Sequence, residues 1–463
     1  MSLVPWVRSL PYADPTQIFA YFCHLPFAIL LESTKLQDNF GRFSFIGIDP
    51  FETLVVKNGI EKSSNQPVHL FDTIRQWLTQ YPSMSHAQLP PFQGGIMGLW
   101  SYECGHYVEK LPYPESTTPD TPDCVLGCYD LVIAFDHVQK TTYAIANGYP
   151  HQTSTARQQH AQQRLDWLCQ QLAQVPPTLP INHPILETAI ECNFTEARYQ
   201  KAVEIAKEYI LAGDIFEVNL SQCFSCQVPD DFSPFSLYQR LKSLNPAPFA
   251  GFFNADNITV ISSSPERFVR CIENQVTTCP IKGTAKRNAD PVLDKKLALQ
   301  LLNSEKDKAE NVMIVDLMRN DLSRVCLAHS VKVPKLCELQ TFETVHHLVS
   351  TVEGTLAPQH TTVDLLEAIF PGGSITGAPK IRSMEIITEI EQQPRGPYCG
   401  SLGYLGFDGN LDTSIAIRTF TLSQDTLYWQ AGGAVTMDSD PLEEYLETLA
   451  KAAALKKALV TPA

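Results

Sequence analysis

The chain has 463 residues, room for about three average domains or one larger mixed unit. Its 35 basic residues against 50 acidic ones give a formal net charge of −15, with no basic stripe or tail, so no nucleic-acid partner is expected. The longest apolar runs, such as Phe27 to Leu31, fall far short of the ~20 residues that a membrane-spanning helix needs, and the first residues lack the pattern of a secretory signal; no membrane partner and a cytoplasmic location are the expectations.

Residues 1–150 read as short strands broken by Gly and Pro, for example around Arg42 to Gly47 and Gln93 to Leu99. From Thr153 to about Gln174, Leu165, Trp167, Leu168 and Leu172 recur at helical spacing. The Pro-rich residues 175–184 then stop the helix and mark the boundary between two parts, 1–185 and 186–463. Thr195 is placed to cap a helix that buries Tyr199, Val203, Ala206 and Ile210 and ends at Gly213. From there a rhythm of helix then strand is expected. The 13 cysteines are scattered and odd in number, which points to reduced thiols; Cys223 and Cys226 lack a second ligand pair for zinc.

Chemistry concentrates in the second part. Ser264-Pro-Glu266 ends an apolar strand, and Pro280-Ile-Lys282-Gly-Thr284 follows, with Lys286 and Arg287 close in sequence. Like charges lower an amine's pKa, so these neighbours are expected to favour a neutral, nucleophilic Lys282. Ser304 caps a second helix whose i, i+3 spacing puts Asp307 and Glu310 on one side. Asp440 and Pro441 open a third helix that carries Glu444, Glu447 and Lys451 on one face. Two acidic faces that met would repel unless a cation lay between them, and oxygen-only ligation suits Mg²⁺. The Gly-rich segment Phe370 to Lys380 opens a further helix, and Gln430-Ala-Gly-Gly433 lets a ligand carboxylate approach the backbone.

Read in order, Ser264-Pro-Glu-Arg-Phe268, Pro280 to Thr284, Lys306-Asp-Lys-Ala-Glu-Asn311, Asp316 to Asp321, His346-His-Leu-Val-Ser350, Gly373 to Lys380, Ile417-Arg-Thr419 and Glu444-Tyr-Leu-Glu-Thr448 resemble the chorismate-utilising enzymes, the family of anthranilate, aminodeoxychorismate, isochorismate and salicylate synthases. Leu30 to Ser33, Arg42 to Phe45 and Pro91 to Gly95 extend the resemblance to the N-terminal part. It implies an α+β, anthranilate-synthase-like fold: two interleaved subdomains with facing antiparallel sheets and outer helices. Residues 186–463 would be the chorismate-binding catalytic part.

Lysine at 282 resembles the aminodeoxychorismate-forming branch, whereas anthranilate synthases typically carry Ala there. The resemblance implies a covalent Lys282 intermediate, Glu266 as general acid, and Mg²⁺ held by Glu310 and Glu447 with Glu444 beside them. It puts Gly283 and Thr284 in the substrate loop and His347 on the ring carboxylate of chorismate. Tyr404, Arg418, Gly432, Gly433 and Lys451 fall around its enolpyruvyl carboxylate. A separate glutamine amidotransferase subunit would supply ammonia. Ser33, Arg42, Phe43, Pro248, Phe249 and Ala250 resemble the tryptophan pocket of anthranilate synthase. Two departures stand out: Glu217, where water-adding relatives have Lys and aminating ones usually Gln, and Ala434, where a third glycine is common.

Overall fold

The computed structural model describes residues 4–34, 41–341 and 345–460. Helices and two sheets stack in the order helix, sheet, sheet, helix, and in both sheets every pairing is antiparallel. One sheet runs Trp6–Leu10, Thr141–Ala146, Leu131–Asp136, Phe43–Gly47, Ile29–Glu32, Phe249–Ala255, Ile258–Ser264, Thr419–Ser423, Thr426–Val435, Glu217–Gln227 and Glu191–Cys192, with Gly377–Ala378 beside Glu217–Gln227. The other runs Ile281–Lys286, Val345–Thr355, Gln275–Thr278, Arg267–Ile272, Leu411–Ile415, Ser401–Gly406, Gly95–Trp100, Cys124–Tyr129, Glu52–Lys57, Ile60–Glu61 and Gln66–Pro67, with Lys332–Thr341 on Val345–Thr355.

Each sheet draws strands from both sides of residue 185. Ile29–Glu32 pairs Phe249–Ala255 in one, and Gly95–Trp100 pairs Ser401–Gly406 in the other, so the chain is interleaved as expected. Between the sheets lies a core of Ile29, Phe45, Met97, Leu99, Val132, Phe253, Val260, Leu402 and Tyr404. The outer faces are covered in turn by helices such as Leu70–Gln80 and Glu305–Ser323 on one side, and Ser154–Leu172, Pro234–Leu244 and Pro441–Val460 on the other. Strands covered on both faces need apolar residues on both, and Gly95–Trp100, Cys124–Tyr129 and Leu131–Asp136 are buried at every position.

The expected helix starts are present. Thr195 accepts from the Arg198 N–H ahead of Glu196–Ala212, which ends on Gly213 at φ 84°. Ser304 accepts from the Asp307 N–H, and Asp440 from the Leu442 and Glu443 N–H groups. The expected alternation of helix and strand does not hold: residues 249–286 form five consecutive strands. Tight turns account for it. Glu273 and Asn274 both sit at positive φ, the geometry that folds a strand directly back on its neighbour.

Candidate active site

Lys282 lies on the edge strand Ile281–Lys286, where the pairing with Val345–Thr355 shifts register between Lys282 and Thr284. Gly283 makes that bulge at φ 81°, and a Cβ there would fall 2.9 Å from the Asp307 side chain, so the position needs glycine. The bulge turns Lys282 inward, 8% exposed, and its Nζ donates to Glu217 Oε1 at 2.7 Å. The expectation from Lys286 and Arg287 is thereby corrected. Burial disfavours the ammonium, but Glu217, Glu310 and Glu266 hold its pKa above the ordinary lysine value. Arg287 instead pairs with Asp294 at 2.8 Å. Proximity in sequence along a strand edge did not translate into proximity of charge.

Glu266 follows the strand Ile258–Ser264 and is buried, with its backbone tied to Ser264 Oγ and to the Ile415 N–H. Burial pushes its carboxyl up to about 7, against hydrogen bonds from Ser374 and the Ile281 backbone and the charge of Lys282. An acid of that pKa is in part protonated at neutral pH, as a proton donor to a leaving hydroxyl must be.

Three further carboxylates border the same space. Burial raises Glu310 to about 7 and raises Glu444 as well. Glu447 behaves differently: burial opposes its charge, yet Lys451 at 2.6 Å, with Lys306 and Lys282 beyond, keeps it below the usual value. Lys306 lies 3.9 Å from Glu310 and 3.8 Å from Glu444, bridging the two acidic helices. Among the described residues no three ligand side chains close into a ready-made metal cage. The donor set nonetheless suits a hard divalent ion. Glu444 Oε2 is buried without a partner among the described residues, and a Cβ on Gly433 would lie 3.0 Å from it and 3.4 Å from Glu447 Oε1. Oxygen ligands so few in number leave positions for water and a substrate anion, as Mg²⁺ prefers.

Cationic and neutral donors lie around these carboxylates. Thr284 Oγ1 is 2.8 Å from His347 Nδ1, and burial together with Arg418 and Lys451 pushes His347 down to about 3, so its ring is neutral. Arg418, at φ 52°, reaches Asn245 Oδ1 at 3.2 Å, and burial lowers its pKa. Gly432 pairs Ser221, and a Cβ on it would strike the Leu220 carbonyl at 2.3 Å. Lys451 Nζ donates to the Gly432 carbonyl. Ala434 sits opposite Asn219 in the same ladder.

Tyr404 is not with this group. Its ring packs 5.3 Å from Phe45 and 4.5 Å from Phe92, in the core between the sheets. Tyr398, six residues earlier, is partly buried with the Arg395 guanidinium 5.8 Å from its ring centre. Its neighbour Cys399 pairs the Ala416 carbonyl, two residues before Arg418, and senses the charge of Glu266. Glu391 and Arg395 were not singled out from the sequence. This buried pair, 2.7 Å apart, holds the Ser221 N–H and hydroxyl and the Asn219 carbonyl, bracing the strand that carries Glu217.

A second cavity of about 620 Å³ opens between the two sheets. Ser33, Arg42, Phe43, Pro248, Phe249 and Ala250 all line it, as does Tyr404. Ser33 Oγ donates to the Pro248 carbonyl, and Arg42 pairs with Asp136 at 2.7 Å. Phe43 and Arg42 form one rim, with the guanidinium 4.8 Å over the ring.

A buried amine paired with a carboxylate, an acid pushed up to about 7, and carboxylates facing cations thus gather in one region of the molecule. The family model described as chorismate binding enzyme matches residues 27–457, and the chain belongs to that family. It is 39% identical over 459 residues to aminodeoxychorismate synthase component 1 of Salmonella typhimurium, covering 97% of each chain. Similarity to anthranilate synthase component 1 of Thermus thermophilus is nearly as high, 37% over 436 residues, with 94% of this chain and 92% of that one covered. Among solved structures, anthranilate synthase component I from Streptococcus pneumoniae superposes with a TM-score of 0.78 at 33% identity, over 91% of this chain and 94% of that one. The fold is therefore the anthranilate-synthase-like α+β fold.

Proposed function

We propose that the chain is the chorismate-aminating component of an aminodeoxychorismate synthase, converting chorismate and ammonia to 4-amino-4-deoxychorismate for 4-aminobenzoate and folate synthesis. The overall identities to the two kinds of relative are too close to discriminate between them. The observation that carries the reading is the Lys282 amine, buried among Glu217, Glu266 and Glu310 where anthranilate-forming relatives typically present a methyl group.

In this reading Lys282 adds to ring carbon C2 while Glu266 protonates the C4 hydroxyl, which leaves as water. Ammonia then adds at C4 and displaces the lysine. Arg418 and the glycine backbone at Gly432 and Gly433 receive the enolpyruvyl carboxylate, and neutral His347 donates toward the ring carboxylate. Mg²⁺ at Glu310, Glu444 and Glu447, when bound, neutralises the ring carboxylate and fixes its orientation. The relatives' designation as component 1 supports a glutamine amidotransferase partner as the ammonia source. Residues 186–463 then carry the chemistry. The cavity at Ser33, Arg42 and Ala250 takes tryptophan, which chromatography of small molecules released from denatured, purified protein detects.

The test is product analysis from chorismate, Mg²⁺ and ammonium salt, with and without an aminodeoxychorismate lyase. A non-aromatic C4 amine that the lyase converts to 4-aminobenzoate is the expected product. Anthranilate with pyruvate would make the protein an anthranilate synthase component I. Unconsumed chorismate would leave a non-catalytic binder of chorismate or tryptophan.

A further inference from the structure

Lys282 can attack carbon only as a neutral amine, yet its surroundings hold it charged. Lys282 and Glu217 are both buried, so the proton's nearest acceptor is within the protein. The ammonium's hydrogen bond among the described residues goes to Glu217 Oε1, 2.7 Å away.

Glu217 is fully buried and fixed in place. It opens the strand Glu217–Gln227 opposite Ala378, and its carbonyl accepts from Ser383 Oγ at 3.0 Å. Its other oxygen, Oε2, has no hydrogen-bond partner among the described residues, and Asn219 Nδ2 offers Oε1 a contact of only 3.4 Å. In a buried site a neutral amine beside a neutral acid competes well with the ion pair, because neither charge is solvated.

We propose that Glu217 is the proton acceptor for Lys282, so that the reactive centre is a pair sharing one proton. This rests on the amination reading above. The N–H bond of the ammonium breaks as an O–H bond forms on Glu217. The freed electron pair bonds to C2, both conjugated ring double bonds shift toward C4, and the C4–O bond breaks with a proton from Glu266, releasing water. When ammonia bonds to C4 the electrons return. The C2–N bond breaks, Lys282 takes its proton back from Glu217, and Glu266 is reprotonated by the new ammonium group.

A pair sharing one proton has a distinctive pH dependence. The charged and neutral arrangements contain the same number of protons, so the reactive fraction does not change with pH between the two macroscopic pKa values. Glutamine at 217, the residue usual in aminating relatives, removes the acceptor, and Lys282 must then lose its proton to solvent before it reacts. The other charges facing the amine, Glu266 and Glu310, remain. The helix Lys380–Glu391 packed on this strand spends its own charges elsewhere: Lys380 on Asp321, Arg382 on Asp214 and Glu391 on Arg395.

The experiment is rapid-quench mass spectrometry of the full-length protein with chorismate and Mg²⁺ but no ammonia, which follows the adduct carrying the mass of chorismate less one water. In the wild type the rate of adduct formation is expected to be flat with pH on the acid side of the Glu266 limb. In Glu217→Gln it is expected to fall about tenfold for each pH unit of acidification, with chorismate affinity and circular dichroism unchanged. Parallel profiles for the two proteins would overturn the role of Glu217 and leave the amination reading standing. Absence of adduct in the wild type, or a C2 amine on adding ammonia, would sink the amination reading itself.

Discussion

Glu266→Gln isolates the proton donor without altering its shape. Moving a carboxyl from its ordinary 4.5 to about 7 reflects roughly 3 kcal/mol against the charged form, most of it from burial. At pH 7.5 about a quarter of the Glu266 side chains then carry a proton, against about one in a thousand for an exposed glutamic acid. Glutamine fills the same volume and offers an N–H to the C4 oxygen but cannot transfer a proton, so kcat should drop by about 10²–10⁴-fold with little change in the KM for chorismate. In the wild type the group must be protonated to work. Raising the pH through about 7 should therefore remove activity, and this alkaline limb should vanish in the glutamine variant. Steady-state chorismate consumption with Mg²⁺ and ammonium across the pH range measures both effects. A variant within a few-fold of wild type, or one that keeps the same alkaline limb, would refute Glu266 as the acid.

Three other outcomes follow from the geometry. Lys282→Ala should abolish or divert C4 amination while the circular dichroism spectrum is unchanged; product chromatography checks it, and an unaltered rate and product would exclude the nucleophile. Glu447→Gln should leave the fold intact and raise the Mg²⁺ requirement at least about tenfold, read both in activity and in calorimetric Mn²⁺ titration of the free protein. Glu391→Ala strands the buried Arg395 guanidinium without its partner and should cost about 3–5 kcal/mol in urea unfolding, whereas breaking the exposed pair Lys201 with Glu204 should leave the unfolding curve nearly unchanged.

What could be read along the chain was local. Thr195, Ser304 and Asp440 cap helices because an oxygen one residue before a helix meets N–H groups that have no other partner, a relation contained within four residues. The rest of the proposed site rests on the resemblance, motif by motif. Tyr404, expected at the enolpyruvyl carboxylate, packs instead in the core between the sheets. Charge was the least legible quantity. Lys282 looked surrounded by Lys286 and Arg287, yet its environment is set by Glu217, Glu310 and Glu266, which come from three other elements. The unusual acid at 217 was visible in the sequence, but its 2.7 Å contact with Lys282, 65 residues away, exists only once the two sheets are laid together. The run of hairpins between 249 and 286 was missed because its turns depend on residues such as Glu273 adopting positive φ, which glutamate seldom does.

The two cavities are joined by a single peptide. Glu266 faces the amine of Lys282, while the next residue, Arg267, lines the cavity between the sheets and pairs with Asp412 there at 2.9 Å. Successive side chains on an extended segment point to opposite faces, so one step along the chain leads from the acid to the second cavity. The link is stiff. The Ile415 N–H binds the Glu266 carbonyl, Ser414 lies opposite Arg267, and Ser414 is itself part of the cavity lining. A ligand in that cavity would therefore meet Arg267 and Asp412, next to the backbone segment that carries Glu266.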